Sequence, residues 1–509
     1  MGGVITGSKA GITFVVMCAA LLALVDVTIV NVALNDIRAS FGTPLDQIGW
    51  VSTGYMMANV VVIPLTGWFQ RRFGFRRYFA GSILLFTAAS ALCGLAWSLP
   101  ALVAFRVLQG LGGGAIIPTA QTILFARYPK EQHGTAGALF GLGAVTGPLL
   151  GPTVGGYLID WASWQWCFLV NVPLGALAAL LALRFLEEPG FRPARAPIDT
   201  FGIALLAIGM ASLQYVLEEG NRESWFESPV IAALAGVAAA TLVAFVVHEL
   251  ETEHPVVDLR VFASRAYAAG TGINLLMGVA LFSGNFLFAL YCGSVLRYAA
   301  LDIGRVFLVS GAAQVVMMPV IGRLTGKVDP RALLALGVVG VAASLWMNSH
   351  LTEHAGYWDL VRSMTVRAIA LGFVFIPITV LALSDLPPAR RGNAAGLFNL
   401  TRALGGSVGT AWMGLVVDRG LKTHGAHLAE HLSPFEPATQ EQYRALQGLF
   451  GGRPLLPEAL LAQRLRTQAL VLSFQEGFRL ATAAFFIALV LVFLLRRPGP
   501  AAGPAGGPR

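Results

Sequence analysis

One carboxylate stands in the middle of an apolar run near the start of the chain. Asp26 lies within residues 11–34, where almost every neighbour is apolar. In a membrane span, a charged carboxylate is unfavourable by several kcal/mol unless it faces a polar cavity or the interior of a helix bundle. A carboxylate that takes up and releases a proton in such a place suits a proton carrier. The position of Asp26 therefore predicts proton coupling, with a structural hydrogen-bonding aspartate as the alternative.

A second charged side chain lies in another apolar run. Arg106 stands within residues 101–126 and needs an anionic or carbonyl partner there, while Gln109 follows on nearly the same helix face. The alternative for Arg106 is a purely structural link between helices. Polar residues within the runs are predicted to line a substrate cavity, namely Asn31, Gln109, Asn285, Gln314 and Arg402. For Asn285 and Gln314, helix-to-helix hydrogen bonds are the alternative.

The amino-acid composition indicates that these residues belong to a membrane protein. Of 509 residues, 56% are hydrophobic and only 12% are charged, about half the charged share of a soluble protein. The apolar runs are long enough to span a bilayer, and lipid leaves backbone groups no partner outside a helix. We therefore predict an all-α polytopic protein. Its fourteen spans are residues 11–34, 49–69, 78–97, 101–126, 135–158, 166–186, 200–219, 229–250, 267–292, 303–324, 332–350, 361–384, 393–417 and 475–496.

The distribution of Lys and Arg sets the orientation. With the N-terminus inside, twenty basic residues fall in cytoplasmic segments and five in the short outer loops. This asymmetry predicts that the N-terminus and the C-terminus are both cytoplasmic. The formal net charge of +8 reflects the same asymmetry, and a nucleic-acid partner is not expected.

A repeated cytoplasmic loop predicts two related halves. Residues 67–77 follow the second span, and the similar residues 322–331 follow the tenth. Two six-helix halves with an inserted helix pair between them account for all fourteen spans. The predicted units are residues 1–190, residues 191–260 with the inserted pair, and residues 261–509, which include a long outer loop at 418–474.

Five stretches together carry a family resemblance. The chain resembles the fourteen-helix drug:proton antiporters of the major facilitator superfamily, and within them the EmrB-type inner-membrane efflux subunits. The stretches are residues 24–34 in the first span, the loop 67–77, residues 106–110, the glycine-rich residues 143–156 and residues 399–409. One departure is Arg71, which stands where the general loop signature has an acidic residue, so that Arg71 and Arg72 are expected at helix C-termini or lipid headgroups.

The resemblance implies a role for each motif. Asp26 and Arg106 are expected to form the proton-coupling site. Gating and packing are assigned to the loop residues Gly67, Gly74, Arg76 and Arg77, and to Gly143, Gly147, Pro148, Gly151, Pro152, Gly155 and Gly156. Close helix packing is expected of the second set on physical grounds as well. The resemblance further implies that it forms an interface between the two halves that closes the inward side.

The long outer loop invites two hypotheses. His424, His427 and His431 fall near one helical face, which raises a metal site, but a solvated amphipathic face is favoured because further ligands are missing. The family resemblance implies instead that residues 418–474 dock a periplasmic membrane-fusion adaptor, and through it a TolC-like outer-membrane channel. Helices are predicted at Thr439 to Phe450 and from Pro457 onward.

The function expected is proton-coupled export of hydrophobic or amphipathic compounds across the bacterial inner membrane. No enzymatic activity, metal or cofactor is expected. One alternative is an exporter or symporter of a specific metabolite or fatty acid, which would need several fixed polar groups in its site. The other is a membrane-embedded lipid-modifying enzyme, which would need a cluster of reactive side chains near an interface.

Overall fold

The computed structural model describes residues 7–129, 132–191, 198–325, 327–383, 386–430, 440–441 and 455–494. Helices account for most of these residues. The helices are α1 (Lys9–Phe41), α2 (Leu45–Ile48), α3 (Trp50–Phe73), α4 (Phe75–Gly94), α5 (Leu99–Arg127), α6 (His133–Trp161), α7 (Trp166–Leu169), α8 (Asn171–Phe185), α9 (Thr200–Glu219), α10 (Pro229–Glu251), α11 (Arg265–Ser294), α12 (Ala300–Thr325), α13 (Pro330–Asn348), α14 (Tyr357–Leu383), α15 (Pro388–Glu430) and α16 (Leu455–Leu494).

The helices confirm the predicted all-α polytopic architecture. Within the described residues, eleven helices are long and apolar enough to cross a membrane, counting α7 and α8 as one. The predicted spans 135–158 and 393–417 fall within the long helices α6 and α15, and the span 49–69 matches α3 from its N-cap Gly49 onward. Local sequence explains several ends: Ser8, Ser98 and Ser264 cap the N-termini of α1, α5 and α11 with their hydroxyl groups.

Helix packing forms two bundles. In the first, α1 packs on α5 and α6, while α4 packs on α5 and α8; in the second, α11 packs on α14, α15 and α16. The inserted helices α9 and α10 pack on each other, and α9 also contacts α3 and α15. The residue bounds 1–190, 191–260 and 261–509 stay a prediction, since residues 192–197 in the linker lie outside the described part of the chain.

Close contacts join the two bundles near their cytoplasmic ends. A Cβ atom on Gly67 of α3 would lie 2.5 Å from the backbone of Asn393 on α15, and one on Gly396 would lie 2.7 Å from the Ile63 carbonyl oxygen. On the other side, a Cβ on Gly134 of α6 would lie 2.5 Å from the Gly322 carbonyl of α12. Glycine is required at such contacts because any side chain would push the backbones apart.

The glycine-rich part of α6 packs inside the first bundle. Cβ atoms on Gly143, Gly147, Gly151 and Gly155 would contact Met17, Leu24, Thr28 and Ile29 of α1, respectively. The sequence analysis expected these glycines to contact the other half. In the structure, that contact is made instead by Gly134, Gly137 and Gly141 earlier in α6. The motif therefore holds α1 against α6 on either side of Asp26. The side chains of Pro148 and Pro152 lie outside the described residues, and Gly156 has open space around it.

The cytoplasmic loop of the first bundle fixes α4 to α8. Gly74 has a φ of 80°, which favours glycine, and the next residues begin α4. The Arg76 amide donates to Glu188 at 2.9 Å, and its guanidinium donates to the Leu183 carbonyl at 2.7 Å near the C-terminus of α8. Arg76 thus makes the helix C-terminal contact that the sequence suggested for Arg71 and Arg72, while Arg77 is exposed.

The long outer loop begins and ends as helix. α15 continues thirteen residues past the predicted span end at 417, and α16 starts at Leu455, twenty residues before the predicted span. A Cβ on Gly420 would lie 2.7 Å from Ser473 Oγ, and His424 lies 3.0 Å from Glu476. The two extensions therefore pack as an antiparallel helical hairpin, which we call the outer hairpin (residues 418–430 and 455–474). The predicted helix Thr439 to Phe450 lies mostly outside the described residues.

The contact between α1 and α6 leads to a prediction about the stability of the protein. Gly151→Val places a branched side chain against Thr28, and such overpacking costs about 1–3 kcal/mol. We expect a lower thermal unfolding temperature in detergent for this variant. Gly156→Val is the matched control on the same helix, because no atom lies within 4 Å of its added Cβ. Equal stability of the two variants would contradict the packing described here.

Candidate functional site

Asp26 lies in a fully buried polar cluster in the first bundle. Its side chain is not exposed at all, and it faces α5 and α8 from α1. Its Oδ2 atom lies 2.8 Å from Nη1 of Arg106, which forms an ion pair. Its Oδ1 atom accepts hydrogen bonds at 2.8 Å from the amides of Gln109 and Asn171. The structure thus brings together Asp26, Arg106 and Gln109, which the sequence singled out from separate spans.

Arg106 has acceptors besides the carboxylate. Its Nε donates to the Val51 carbonyl at 3.1 Å, and its Nη1 donates to Gln109 Oε1 at 2.7 Å. The Tyr55 ring lies under the guanidinium, with Cζ 4.2 Å from the ring centroid. A buried guanidinium held this way remains partly satisfied when its carboxylate partner becomes neutral. These contacts therefore hold Arg106 independently of the carboxylate.

Two members of this cluster were missed by the sequence analysis. Asn171 begins α8 and donates both to Asp26 and, at 3.1 Å, to Ser90 Oγ of α4. Ser90 in turn donates to the Phe168 carbonyl at 2.9 Å. The cluster thus connects four helices of the first bundle. The only available signals were one amide in the run 166–186 and one of three small hydroxyl residues in the run 78–97, which do not distinguish a site residue from a packing residue.

The second bundle contains a related pair without a carboxylate. Arg367 on α14 is 1% exposed and donates to Asn285 Oδ1 on α11 at 2.5 Å. These are the first and fourth long helices of the second bundle, as α1 and α5 are of the first. Asn285 therefore stands opposite its arginine as Asp26 stands opposite Arg106. The sequence analysis left Asn285 open between cavity lining and a helix-to-helix hydrogen bond, and it missed Arg367.

Arg402 lies where the two bundles meet. Its Nη2 donates to Asn399 Oδ1 at 2.6 Å, and Asn399 Nδ2 donates to Gln121 Oε1 of the first bundle at 2.6 Å. The guanidinium stacks on Phe375, with Cζ 4.9 Å from the ring centroid. Phe375 in turn contacts Phe140 of α6 at a centroid distance of 6.2 Å. Arg402 is half-buried and lies near the middle of the predicted span 393–417.

The remaining predicted residues lie apart from these clusters. Asn31 is exposed on α1 and accepts a hydrogen bond from Ser52 at 3.3 Å. Gln314 is buried on α12. In the outer hairpin, His427 lies 3.7 Å from Glu430, and His431 lies outside the described residues. Across the described chain no group of three possible metal ligands is found.

The buried ion pair makes a prediction about stability. Arg106→Gln leaves the Asp26 carboxylate buried without a cation, which costs about 3–5 kcal/mol of unfolding free energy. Asp26→Asn should cost less, because an amide oxygen can still accept from arginine, as Asn285 does for Arg367. The double variant should lose less than the sum of the two single losses. Additive losses in equilibrium unfolding in mixed micelles would contradict this coupling.

Comparison with known proteins agrees with the geometry. Residues 16–410 match the family model "Major Facilitator Superfamily". The chain is 34% identical to the multidrug export protein EmrB of Escherichia coli (strain K12) over 500 residues, covering 97% of each chain. It is 33% identical to the multidrug export protein EmrB of Haemophilus influenzae over 488 residues, covering 96% of each.

Solved structures show the same fold. The proton:xylose symporter XylE, described as a major facilitator superfamily protein, aligns with a TM-score of 0.63 at 14% sequence identity, covering 95% of each chain. This identity is too low to carry function, but the match extends over both bundles. Together with the family model and the relatives, it places the protein in the major facilitator superfamily of multi-pass membrane transporters.

Proposed function

We propose that the protein is a proton-coupled antiporter that exports hydrophobic and amphipathic drugs across the bacterial inner membrane. The buried Asp26–Arg106 pair carries this proposal, because a membrane-buried carboxylate beside a fixed cation can hold or release one proton. The relatives named multidrug export proteins supply the substrate class, since they match nearly the whole chain. Membership in a transporter family leaves the lipid-modifying enzyme unsupported.

The contacts of the cluster support a coupling step. Protonation of Asp26 removes its charge and weakens its attraction for Arg106, while Val51, Gln109 and Tyr55 keep the guanidinium in place. The contact that holds α1 to α5 is therefore weakened, while Arg106 on α5 keeps its other contacts. Because α1 is packed against the glycines of α6, the helix that also contacts the second bundle, loosening α1 alters the same contact surface.

The observed contacts support a cytoplasm-closed state for proton uptake. The contacts Gly67 to Asn393, Gly396 to Ile63 and Gly134 to Gly322 lie towards the cytoplasmic ends of their helices. In an alternating-access cycle, this is the state that takes a proton from outside. One proton moving inward across about 150 mV supplies about 3.5 kcal/mol, enough for a substrate gradient of a few hundredfold.

Asp26→Asn tests the proposal directly. The amide keeps the size of the side chain and its bond to Arg106 but cannot titrate, so the variant should fold and lose active export. The measurement is substrate-triggered proton movement and substrate accumulation in energised everted vesicles. Asp36→Asn, an exposed residue on the same helix, is the matched control and should keep both activities. Export against a gradient by the Asp26→Asn variant would sink the proposal.

We further propose that the outer hairpin docks a periplasmic membrane-fusion adaptor, which continues to a TolC-like outer-membrane channel. The support is its form, because two helices extend about 20–30 Å beyond the predicted spans. Most side chains on the extension of α15 are exposed or half-buried. A cleft of about 550 Å³ at its base is lined by Glu353, His354, Arg464 and three other residues, which adds a polar recess beside the hairpin.

Removing the outer hairpin separates docking from transport. Gly420 and Ser473 are in close contact, so residues 421–472 can be replaced by a short glycine-serine linker without moving the helices below. We expect this variant to lose cross-linking to the adaptor while keeping substrate flux in isolated vesicles. As the control, the same linker replaces the exposed residues Phe226 and Glu227 in the turn between α9 and α10, which do not line the cleft at the base of the hairpin. Full cross-linking by the shortened variant would refute the docking assignment.

A transporter for one specific metabolite or fatty acid remains the second candidate. It is favoured by the polar groups around Arg402, which provide a defined site between the bundles. Export confined to one compound in a broad substrate screen would select this candidate over the multidrug exporter.

A further inference from the structure

The two bundles meet at a chain of three polar side chains. Arg402 donates to Asn399, and Asn399 donates to Gln121, so the chain runs from α15 of the second bundle to α5 of the first. Each amide oxygen in this chain therefore accepts a hydrogen bond from within it. Asn399 Nδ2 is also satisfied by the Ala395 carbonyl at 2.8 Å.

Both ends of this chain are donors without acceptors. Arg402 Nη1 and Gln121 Nε2 are buried and have no hydrogen-bond partner among the described residues. Gln121 is fully buried, and Arg402 forms no ion pair with any described carboxylate. A buried donor left unpaired is destabilising, and a buried cation left unpaired is more so. This chain of three side chains thus carries a positive charge and two unpaired N–H donors, and it has no acceptor for them.

The contrast with the first bundle shows what is missing. Arg106 is neutralised by Asp26 within the protein, whereas Arg402 has only the amide oxygen of Asn399 and the face of Phe375. Arg402 is half-buried, one helical turn outward of Asn399, and so lies just beyond the closed cytoplasmic contact between the bundles. In the proposed cytoplasm-closed state, a ligand that enters between the bundles from the outer side meets this side chain.

We infer that Arg402 and Gln121 form the head-group subsite of the transport site and select amphipathic anions. The ligand class is a lipophilic compound with a carboxylate or similar oxyanion, whose oxygens accept from Arg402 Nη1 and Gln121 Nε2. The aromatic pair Phe375 and Phe140 lies beside this subsite. This inference rests on the proposed export function and narrows its substrate class. Because the two donors belong to different bundles, the bound anion bridges the surfaces that separate during transport.

Binding of three matched probes tests the inference. They are pyrenebutyrate, its primary amide and the trimethylammonium analogue, which share the fluorescent ring and differ in the head group. Full-length protein in lipid nanodiscs at neutral pH should bind the anion about tenfold more tightly than the amide, the ratio expected for one charged hydrogen bond. The cation should bind most weakly. Equal binding of the three probes, or preference for the cation, would overturn the inference.

Two variants at opposite ends of the chain locate the selectivity. Arg402→Gln should abolish the preference for the anion, and Arg402→Lys should retain part of it because the charge remains. Gln121→Glu is nearly isosteric and supplies the missing carboxylate from the other bundle. This variant should therefore also abolish the preference for the anion. It tests the subsite even where the Arg402 variants do not fold. Arg305→Gln, an exposed arginine on α12, is the control and should bind as the unaltered protein does. An anion preference that survives Arg402→Gln or Gln121→Glu would refute the subsite.

A separate measurement keeps this test apart from the proposed function. Proton movement triggered by the neutral amide probe in proteoliposomes of the unaltered protein reports coupled export without an anionic head group. If that movement occurs while the three probes bind equally, the export proposal stands and the subsite is wrong. If anion selectivity is found but no probe triggers proton movement, the subsite stands and the coupling proposal is wrong.

Discussion

A buried ion pair is the constraint around which the first bundle is organised. In hydrocarbon, Asp26 and Arg106 have no partner of opposite charge except each other, so the helices that carry them must stay in register. The surrounding contacts follow from this requirement: Gln109 and Asn171 satisfy the second carboxylate oxygen, and Val51 and Tyr55 satisfy the guanidinium. The glycines of α6 contribute by allowing α1 to approach closely on both sides of Asp26.

The two bundles use the same geometry with different chemistry. An arginine on the fourth long helix faces the first long helix in both, but its partner is a carboxylate in one and the amide of Asn285 in the other. An amide has no proton to exchange near neutral pH. At this position the first bundle thus pairs its arginine with a carboxylate, and the second pairs its arginine with an amide.

Sequence alone predicted the spans well and their partners only in part. The apolar runs defined the helices because length and composition are local properties, and Asp26 and Arg106 were conspicuous as charges within them. Asn171 and Ser90 were not, since one polar residue in an apolar run is common and its role depends on which helix faces it. The glycine motif at 143–156 was expected between the two halves, whereas Gly151 contacts Thr28 of α1 within the first bundle. The outer extension of α15 is polar, so hydropathy ended that helix too early, whereas the helix predicted from Pro457 onward is confirmed as the first part of α16.

The length of α15 has a mechanical consequence. This single helix carries Asn393 and Arg402 at the contact between bundles and continues to Glu430 in the outer hairpin. From Arg402 to Glu430 it extends about 40 Å, so a tilt of roughly 10° at the bundle contact displaces the outer end by about 7 Å. In the proposed alternating-access cycle, this helix acts as a lever whose short arm lies at the contact between the bundles. A partner bound to the outer hairpin would then be moved once in every cycle, and a load on the hairpin would oppose the rocking of the bundles below.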